Sequence, residues 1–248
     1  MERAEWLRRM RAHTEALYDH LAPGYWVTFG LYDNEVHRQF IEKFLGRLGA
    51  HSSLLDAGCG AGRYDGRLVE AGHSVLGVDQ SGRMLAQARE HFPQERFPAL
   101  RYVKMGLQEM DFEAEFDGVI CVDAMEHVSP EDWPGIVAHF QKALRPGGVL
   151  YFTVDAPDWG EVAEAYERAK AQGLPVVFGE VVDQVETASA QVLALDWQAI
   201  SGELSDPAVY HYHPSLEQVR AWLDQAGLVI EEEGSGVWYA HFLVRKKA

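Results

Sequence analysis

Five short apolar runs recur along the first two thirds of the chain: residues 52–58 (SSLLDAG), 73–79 (HSVLGVD), 100–105 (LRYVKM), 116–123 (FDGVICVD) and 148–155 (GVLYFTVD). Each is rich in Val, Ile, Leu or aromatics and too short for a helix of its own, so each predicts a buried strand. Between them the apolar spacing becomes helical. GRYDGRLVEAG ends on Gly72 as a C-cap, SGRMLAQAREHF opens on Ser81 as an N-cap, and SPEDWPGIVAHFQKALRPGG starts at Ser129 and stops before Pro146. Strand and helix in strict alternation predict an α/β fold with a doubly wound, mostly parallel sheet, whose ligands bind at the carboxyl ends of the strands.

The two ends of the chain break this rhythm. Residues 213–228 (HPSLEQVRAWLDQAGL) form an amphipathic pattern with Leu216, Val219, Trp222 and Leu223 on one side. The following VIEEEGSGVWYAHFLVRKK alternates with period two on either side of Gly234-Ser235-Gly236, which predicts a closing antiparallel hairpin. The N-terminal MERAEWLRRMRAHTEALYDHLA mixes Arg with Glu2, Glu5 and Glu15 and has no apolar h-region, so it reads as an amphipathic helix and not a targeting peptide. Residues 155–212 fit no β-α unit and are read as an insertion. Its apolar runs at 174–182 and 190–200 predict that it is folded.

Composition narrows the function classes. No apolar run approaches the roughly 18 residues of a membrane span. The formal net charge of −16 argues against a nucleic-acid partner, because phosphate binding needs Lys and Arg to displace counterions. Eleven of the Asp and Glu lie in residues 155–212, opposed only by Arg168 and Lys170. That stretch is read either as a solvated face or as a lid suited to a cationic substrate. The two cysteines, Cys59 and Cys121, belong to no CxxC pair, so neither a structural zinc site nor a disulfide framework is expected and a reducing cytoplasm is the default setting.

The richest chemistry lies in LLDAGCGAGRYDG (54–66), where Asp56 and glycines 58, 60 and 62 follow the first strand. A dinucleotide turn would be GxGxxG, but here the spacing is GxGxG and Arg63 stands at the third-glycine position. A second acid, Asp79, ends the next strand 19 residues after Gly60, where a carboxylate can accept from both hydroxyls of a ribose. Turn and acid together predict a nucleoside ligand.

LLDAGCGAGRYDG, VLGVDQSGRML, FDGVICVDAMEHV and ALRPGGVLYFTV, in this order and spacing, resemble the successive motifs of class I S-adenosylmethionine-dependent methyltransferases, and within them the small-molecule group. The resemblance covers about residues 14–155. It implies a Rossmann-like, seven-stranded, mostly parallel sheet with an antiparallel C-terminal hairpin. It implies N-terminal helices over the cofactor site (1–50), a core in two pieces (51–154 and 213–248) and a substrate cap (155–212). The implied reaction moves a methyl group from S-adenosylmethionine, leaving S-adenosylhomocysteine, to an O, N or C atom of a small molecule, in a monomer or homodimer without membrane or nucleic acid. A non-catalytic S-adenosylmethionine-binding regulator remains as an alternative. An NAD-dependent oxidoreductase is disfavoured by Arg63 and by the lack of a Tyr-x-x-x-Lys pair.

The resemblance also assigns residues. Gly58, Cys59, Gly60 and Gly62 form the turn under the cofactor's methionine part, with Asp56 near its amino group. Asp79 takes the ribose, Gln80 lies by the adenine, Asp123 flanks the sulfonium, and Tyr18 and Tyr25 cover the site. The position of the usual adenine-binding Asp is Gly106, leaving Leu107 and Gln108 to replace it. His127 and His211 are the candidate bases. Trp26, His127, Tyr210, His211, His213 and Tyr239 are the candidate acceptor-pocket residues, with Trp238 and His241 as further aromatic neighbours. His211 and His213 have the spacing of a metal-ligand pair on an extended strand, but the sequence offers no evident third ligand, so no metal is expected.

Overall fold

The computed structural model describes residues 1–30, 34–184, 208–236 and 238–247. Strands β1 (Ser53–Ala57), β2 (Ser74–Asp79), β3 (Leu100–Lys104), β4 (Phe116–Cys121) and β5 (Leu144–Asp155) are parallel neighbours. Strands β8 (Leu228–Ser235) and β9 (Tyr239–Lys246) close one edge antiparallel, giving the order β3-β2-β1-β4-β5-β9-β8. This is the doubly wound, mostly parallel sheet the alternation predicts, with the seven strands the resemblance implies.

The period of two along each strand sorts the core into two layers. Leu54, Ile120, Tyr151 and Leu243 face helices α2 (Glu35–Leu45) and α3 (Asp65–Glu70), packing with Phe40, Ile41, Phe44 and Leu68. Leu55, Val119, Phe152 and Phe242 face the other way. They meet α5 (Trp133–Ala143) through Trp133, Ile136 and Phe140, and α7 (Leu216–Gln225) through Val219 and Leu223. The long N-terminal helix α1 (Arg3–Tyr25) adds Trp6, Leu7 and Met10 to this second layer and runs into a π-helical turn at Trp26–Gly30. Helix α4 (Gly82–His91) follows β2. Among the described residues no helix is long and apolar enough to cross a membrane.

Two boundaries differ from expectation. The helix expected from Ser129 begins at Trp133, because Ser129–Asp132 closes as a turn: Asp132 N donates to Ser129 O at 2.9 Å and Ser129 Oγ donates to Asp132 Oδ2 at 2.9 Å. Pro134 then lies in the first helical turn, where no N–H is needed. That helix ends at Ala143, and β5 already includes the RPGG segment. The insertion is folded where it is described, as α6 (Trp159–Ala171) and a two-stranded ribbon of β6 (Glu180–Gln184) and β7 (Ala208–Tyr212). The run at 190–200 lies outside the described residues.

Strand β1 is flanked by β2 on one side and β4 on the other, so the chain changes winding direction there and a crevice opens at the carboxyl ends of β1 and β4. Helix α2 supports this crevice from below. A Cβ on Gly118 in β4 would lie 2.6 Å from Phe44 Cζ and 3.0 Å from Leu54 Cδ2, so the glycine lets α2 seat on the sheet. Gly118→Val is expected to cost about 1–3 kcal/mol by overpacking, a loss of several degrees in a thermal melt. An unchanged melting temperature would mean that α2 does not depend on this contact.

Candidate functional site

The glycine turn leaves β1 through backbone angles that L-residues rarely adopt, with φ of 77° at Gly58, 55° at Gly60 and 84° at Gly62. Gly58 N and Cys59 N donate to Val78 O at 2.8 and 3.0 Å. Gly60 N then donates to Asp79 Oδ2 at 2.9 Å, while Asp79 Oδ1 accepts from Ser81 N at 2.8 Å. One carboxylate thus joins the turn to the start of α4. Burial raises the Asp79 pKa, and these two amide donors oppose the rise. Cys59 is buried, and burial pushes its thiol well above the ordinary value, which fits a filler of the turn and not a nucleophile.

A cavity opens against this turn, lined by Tyr18, Tyr25, Gly58, Gly60, Asp79, Gln80, Leu107, Gln108, Asp123 and His127, among others. The lining includes nine residues that the resemblance assigns to the cofactor, together with His127, one of the two candidate bases. Asp56 and Cys59 line an adjoining hollow with Arg63 and Tyr64. The cover is fixed from α1. Asp19 Oδ1 accepts from Ser81 Oγ at 2.6 Å and from Arg83 N at 3.0 Å, so the helix that carries Tyr18 is tied to the N-terminus of α4. Tyr18 and Tyr25 meet edge to face at 6.2 Å. At Gly106 the backbone N–H donates to Glu109 Oε2 at 3.0 Å, and Leu107 and Gln108 present themselves to the cavity instead of an Asp.

Arg63, which in sequence only marks a departure from GxGxxG, is a central charge of the site. Its Nη1 lies 2.8 Å from Asp123 Oδ2 and 3.3 Å from Tyr64 Oη, and its Nη2 lies 3.4 Å from Tyr25 Oη. Asp123 holds a left-handed φ of 52°, a conformation Asp tolerates better than most residues. Its N–H donates to Thr153 Oγ1 at 2.8 Å. Burial raises its pKa, with Arg63 pulling the other way. Beneath the turn, Asp56 and Asp65 are buried side by side. Burial and mutual repulsion raise Asp56 well above the carboxylate range, and burial raises Asp65 to about 6. The sequence gives no signal for these pairings, because nothing links Arg63 to position 123 until the strands are laid together.

Beyond Asp123 the wall is formed by a short 3-10 turn, Met125–His127. His127 Nε2 lies 2.7 Å from Tyr18 Oη and its Nδ1 lies 3.3 Å from Tyr210 O. The carbonyl must accept, so Nδ1 carries the proton and Nε2 receives the Tyr18 hydroxyl. Both nitrogens are engaged, and burial lowers the pKa to about 4. Glu126, which no motif in the sequence singles out, is buried beside Asp123 and Asp155, with its pKa raised to about 8, chiefly by burial.

Strand β7 sorts the YHYH segment by parity. His211 and His213 turn toward this wall: His211 meets His127 at 4.9 Å between ring centres, and His213 Nδ1 stands 3.6 Å from Asp155 Oδ2. Tyr210, which the sequence reading assigns to the acceptor pocket, turns the opposite way. It is 2% exposed, packs edge-on against Trp6 at 5.6 Å and donates to Glu180 Oε1 at 2.9 Å. Trp26 also stands apart from this wall. It stacks on His91 at 3.9 Å and is not among the residues lining the cavity. Tyr239 pairs with Asp155 across the β5–β9 ladder and packs 5.5 Å from His37, at the margin of the site. Trp238 is exposed, and His241 is buried in the layer against Phe40.

The Arg63–Asp123 pair is only 14% exposed on each side. Removing one partner strands a buried charge, so Arg63→Met is expected to destabilise the fold by up to about 3–5 kcal/mol. Adding Asp123→Asn should recover a large part, as Asn keeps the left-handed backbone. Chemical denaturation of the double-mutant cycle reads the coupling, and strictly additive effects would contradict the pairing.

Comparison with known proteins agrees with this geometry. Residues 54–148 match the family model described as a methyltransferase domain. The ubiquinone biosynthesis O-methyltransferase of Acinetobacter baylyi is 32% identical over 122 residues, 48% of this chain and 50% of that protein. The malonyl-[acyl-carrier protein] O-methyltransferase of Pectobacterium atrosepticum is 32% identical over 144 residues, 56% of this chain and 54% of that one. The chain therefore spans about half the length of the curated relatives it matches. Among solved structures, the 1,6-didemethyltoxoflavin-N1-methyltransferase of Burkholderia thailandensis, determined with bound 1,6-didemethyltoxoflavin and S-adenosylhomocysteine, superposes with a TM-score of 0.65 at 18% identity, covering 100% of this chain and 92% of that one. A SAM-dependent methyltransferase of Methanosarcina mazei gives 0.64 at 16% identity, covering 84% and 97%. The matches lead to one conclusion: the chain carries, over residues 54–148, a methyltransferase domain, in a fold similar to that of S-adenosylmethionine-dependent methyltransferases.

Proposed function

We propose that the protein transfers a methyl group from S-adenosylmethionine to an oxygen of a small molecule. The observation that carries this reading is the cavity between the Gly58–Gly60 turn, Asp79 and the Asp123–His127 wall. Its donor set fits the cofactor. The glycine at position 60 leaves open a face where a Cβ would come within 3.1 Å of Met84 Cε. Each Asp79 oxygen accepts one backbone amide and keeps lone-pair capacity for a ribose diol. Asp56, Asp79 and Asp123 suit a ligand bearing an ammonium and a sulfonium, and Arg63 supplies a charge suited to its carboxylate. Gln80, Leu107 and Gln108 are the residues for the adenine.

The cofactor supplies a methyl group already activated by a positively charged sulfur. What the chain must add is alignment and exclusion of water. Tyr18, held by His127, and Tyr25, held by Arg63, close the cavity from α1. The ribbon β6–β7 together with α6 serves as the cap on the acceptor side, a reading supported by the approach of His211 to His127. Oxygen is favoured as the acceptor atom by the O-methyltransferase names of the curated relatives. The buried free thiols of Cys59 and Cys121 suit a reducing, cytoplasmic setting.

A thermal-shift panel with S-adenosylmethionine, S-adenosylhomocysteine, NAD and NADP, followed by a labelled-methyl screen over pooled metabolites, tests the proposal. Stabilisation by the first two alone and label in a hydroxyl-bearing product are expected. Binding without transfer to any acceptor would favour a regulator, and stabilisation by NAD would favour an oxidoreductase. At the residue level, Asp79→Asn should weaken S-adenosylhomocysteine binding at least about tenfold, roughly 1.5–3 kcal/mol, in calorimetry. Unchanged affinity in a folded variant would remove Asp79 from the ribose site.

A further inference from the structure

The third ligand that the sequence does not reveal is supplied by the fold. Asp155 ends β5, His211 lies on β7 and His213 follows two residues later on the same face. One ligand atom from each of the three lies within 4.8 Å of the others. Strand β5 brings the carboxylate to the acceptor side of the crevice, and the insertion folds back to bring the imidazoles. His213 is anchored by its N–H donating to Gly179 O at 2.8 Å. Its ring is 4% exposed, and its buried Nδ1 has no hydrogen-bond partner among the described residues. A buried polar atom without a partner is costly and calls for an explanation.

The Asp155 carboxylate faces this nitrogen, but its Oδ2, at 3.6 Å, is too far for a hydrogen bond. The spacing suits a different arrangement. Two ligand atoms each about 2.1 Å from one ion, at a tetrahedral angle, stand about 3.4 Å apart. Two imidazoles and a carboxylate are a borderline-soft donor set that favours first-row transition metals or zinc over Mg²⁺ or Ca²⁺, and three protein ligands leave coordination positions open.

We propose that Asp155, His211 and His213 form a binding site for a divalent zinc-like or first-row transition-metal ion whose open side faces the acceptor wall at His127. The direction follows from the ring of His211, which lies 4.9 Å from His127, itself part of the cavity lining. An ion there gives the cap a chemical role, that of holding a small acceptor by an oxygen donor. That assignment to the acceptor rests on the methyl-transfer reading, whereas the site itself does not.

The test uses the full chain, stripped with chelator and titrated with Co²⁺ and Zn²⁺. One equivalent of Co²⁺ should bind with a dissociation constant of about 10 µM or tighter and give visible ligand-field bands, and Zn²⁺ should displace it. Asp155→Ala, His211→Ala and His213→Ala should each weaken binding at least about tenfold. S-Adenosylhomocysteine affinity and the melting curve report whether each variant is folded, and the milder His213→Gln gives a second variant if the alanine change unfolds the chain. Acetohydroxamate, a small bidentate oxygen ligand, should shift the Co²⁺ bands if the open side is accessible. No saturable Co²⁺ or Zn²⁺ binding, or equal affinity in folded variants, would overturn the site. Bands unmoved by acetohydroxamate would overturn the acceptor role. Site-dependent Co²⁺ binding in a protein that fails the methyl-transfer screen would uphold the site and discard only its link to transfer.

Discussion

The site depends on the carboxylate of Asp79. It ends β2 and accepts one amide from the glycine turn and one from the start of α4. Without that bridge the turn would be a loose loop of left-handed glycines beside a strand. With it, Gly60 is fixed against Met84, and the first helical turn of α4 becomes the platform on which Asp19 anchors α1. Through α1 the same bridge sets the height of Tyr18 and Tyr25 above the cavity. Seat and cover are therefore parts of one hydrogen-bonded chain running from β2 to the N-terminal helix.

Around this bridge the end of the sheet concentrates buried acids: Asp56 and Asp65 under the turn, Asp123 on the left-handed turn after β4, Glu126 in the wall. Burial penalises each charge, and Arg63 offsets the penalty at Asp123. Such a density of carboxyl groups is unfavourable in an empty core and favourable around a cationic ligand. The electrostatics thus point the same way as the backbone geometry.

Much of this was legible in the sequence. The short apolar runs place the first four parallel strands within about two residues, while β5 starts four residues before its run, and the spacing from Gly60 to Asp79 identifies the two groups that the structure joins at 2.9 Å. Local signals of this kind survive because strand and turn chemistry are local. What stayed hidden was the pairing of distant residues. Arg63 and Asp123 are 60 positions apart, and no pattern connects them before β1 and β4 are neighbours. The YHYH segment shows the other limit. Its alternation is plain, but which parity faces the pocket is decided by how β7 lies on α1, and Tyr210 turned to Trp6 and Glu180 while His211 and His213 turned to the wall. Asp155 read as the last residue of a strand and became a partner of His213 only when the insertion returned to it.

The central claim, that the turn fixed by Asp79 is the seat of the cofactor, is tested most directly by a crystal structure of the protein with S-adenosylhomocysteine. The ligand is expected in the cavity, its ribose hydroxyls on Asp79 and its sulfur directed toward the Asp123–His127 wall. A ligand bound elsewhere, or bound in the cavity with its ribose away from Asp79, would contradict it.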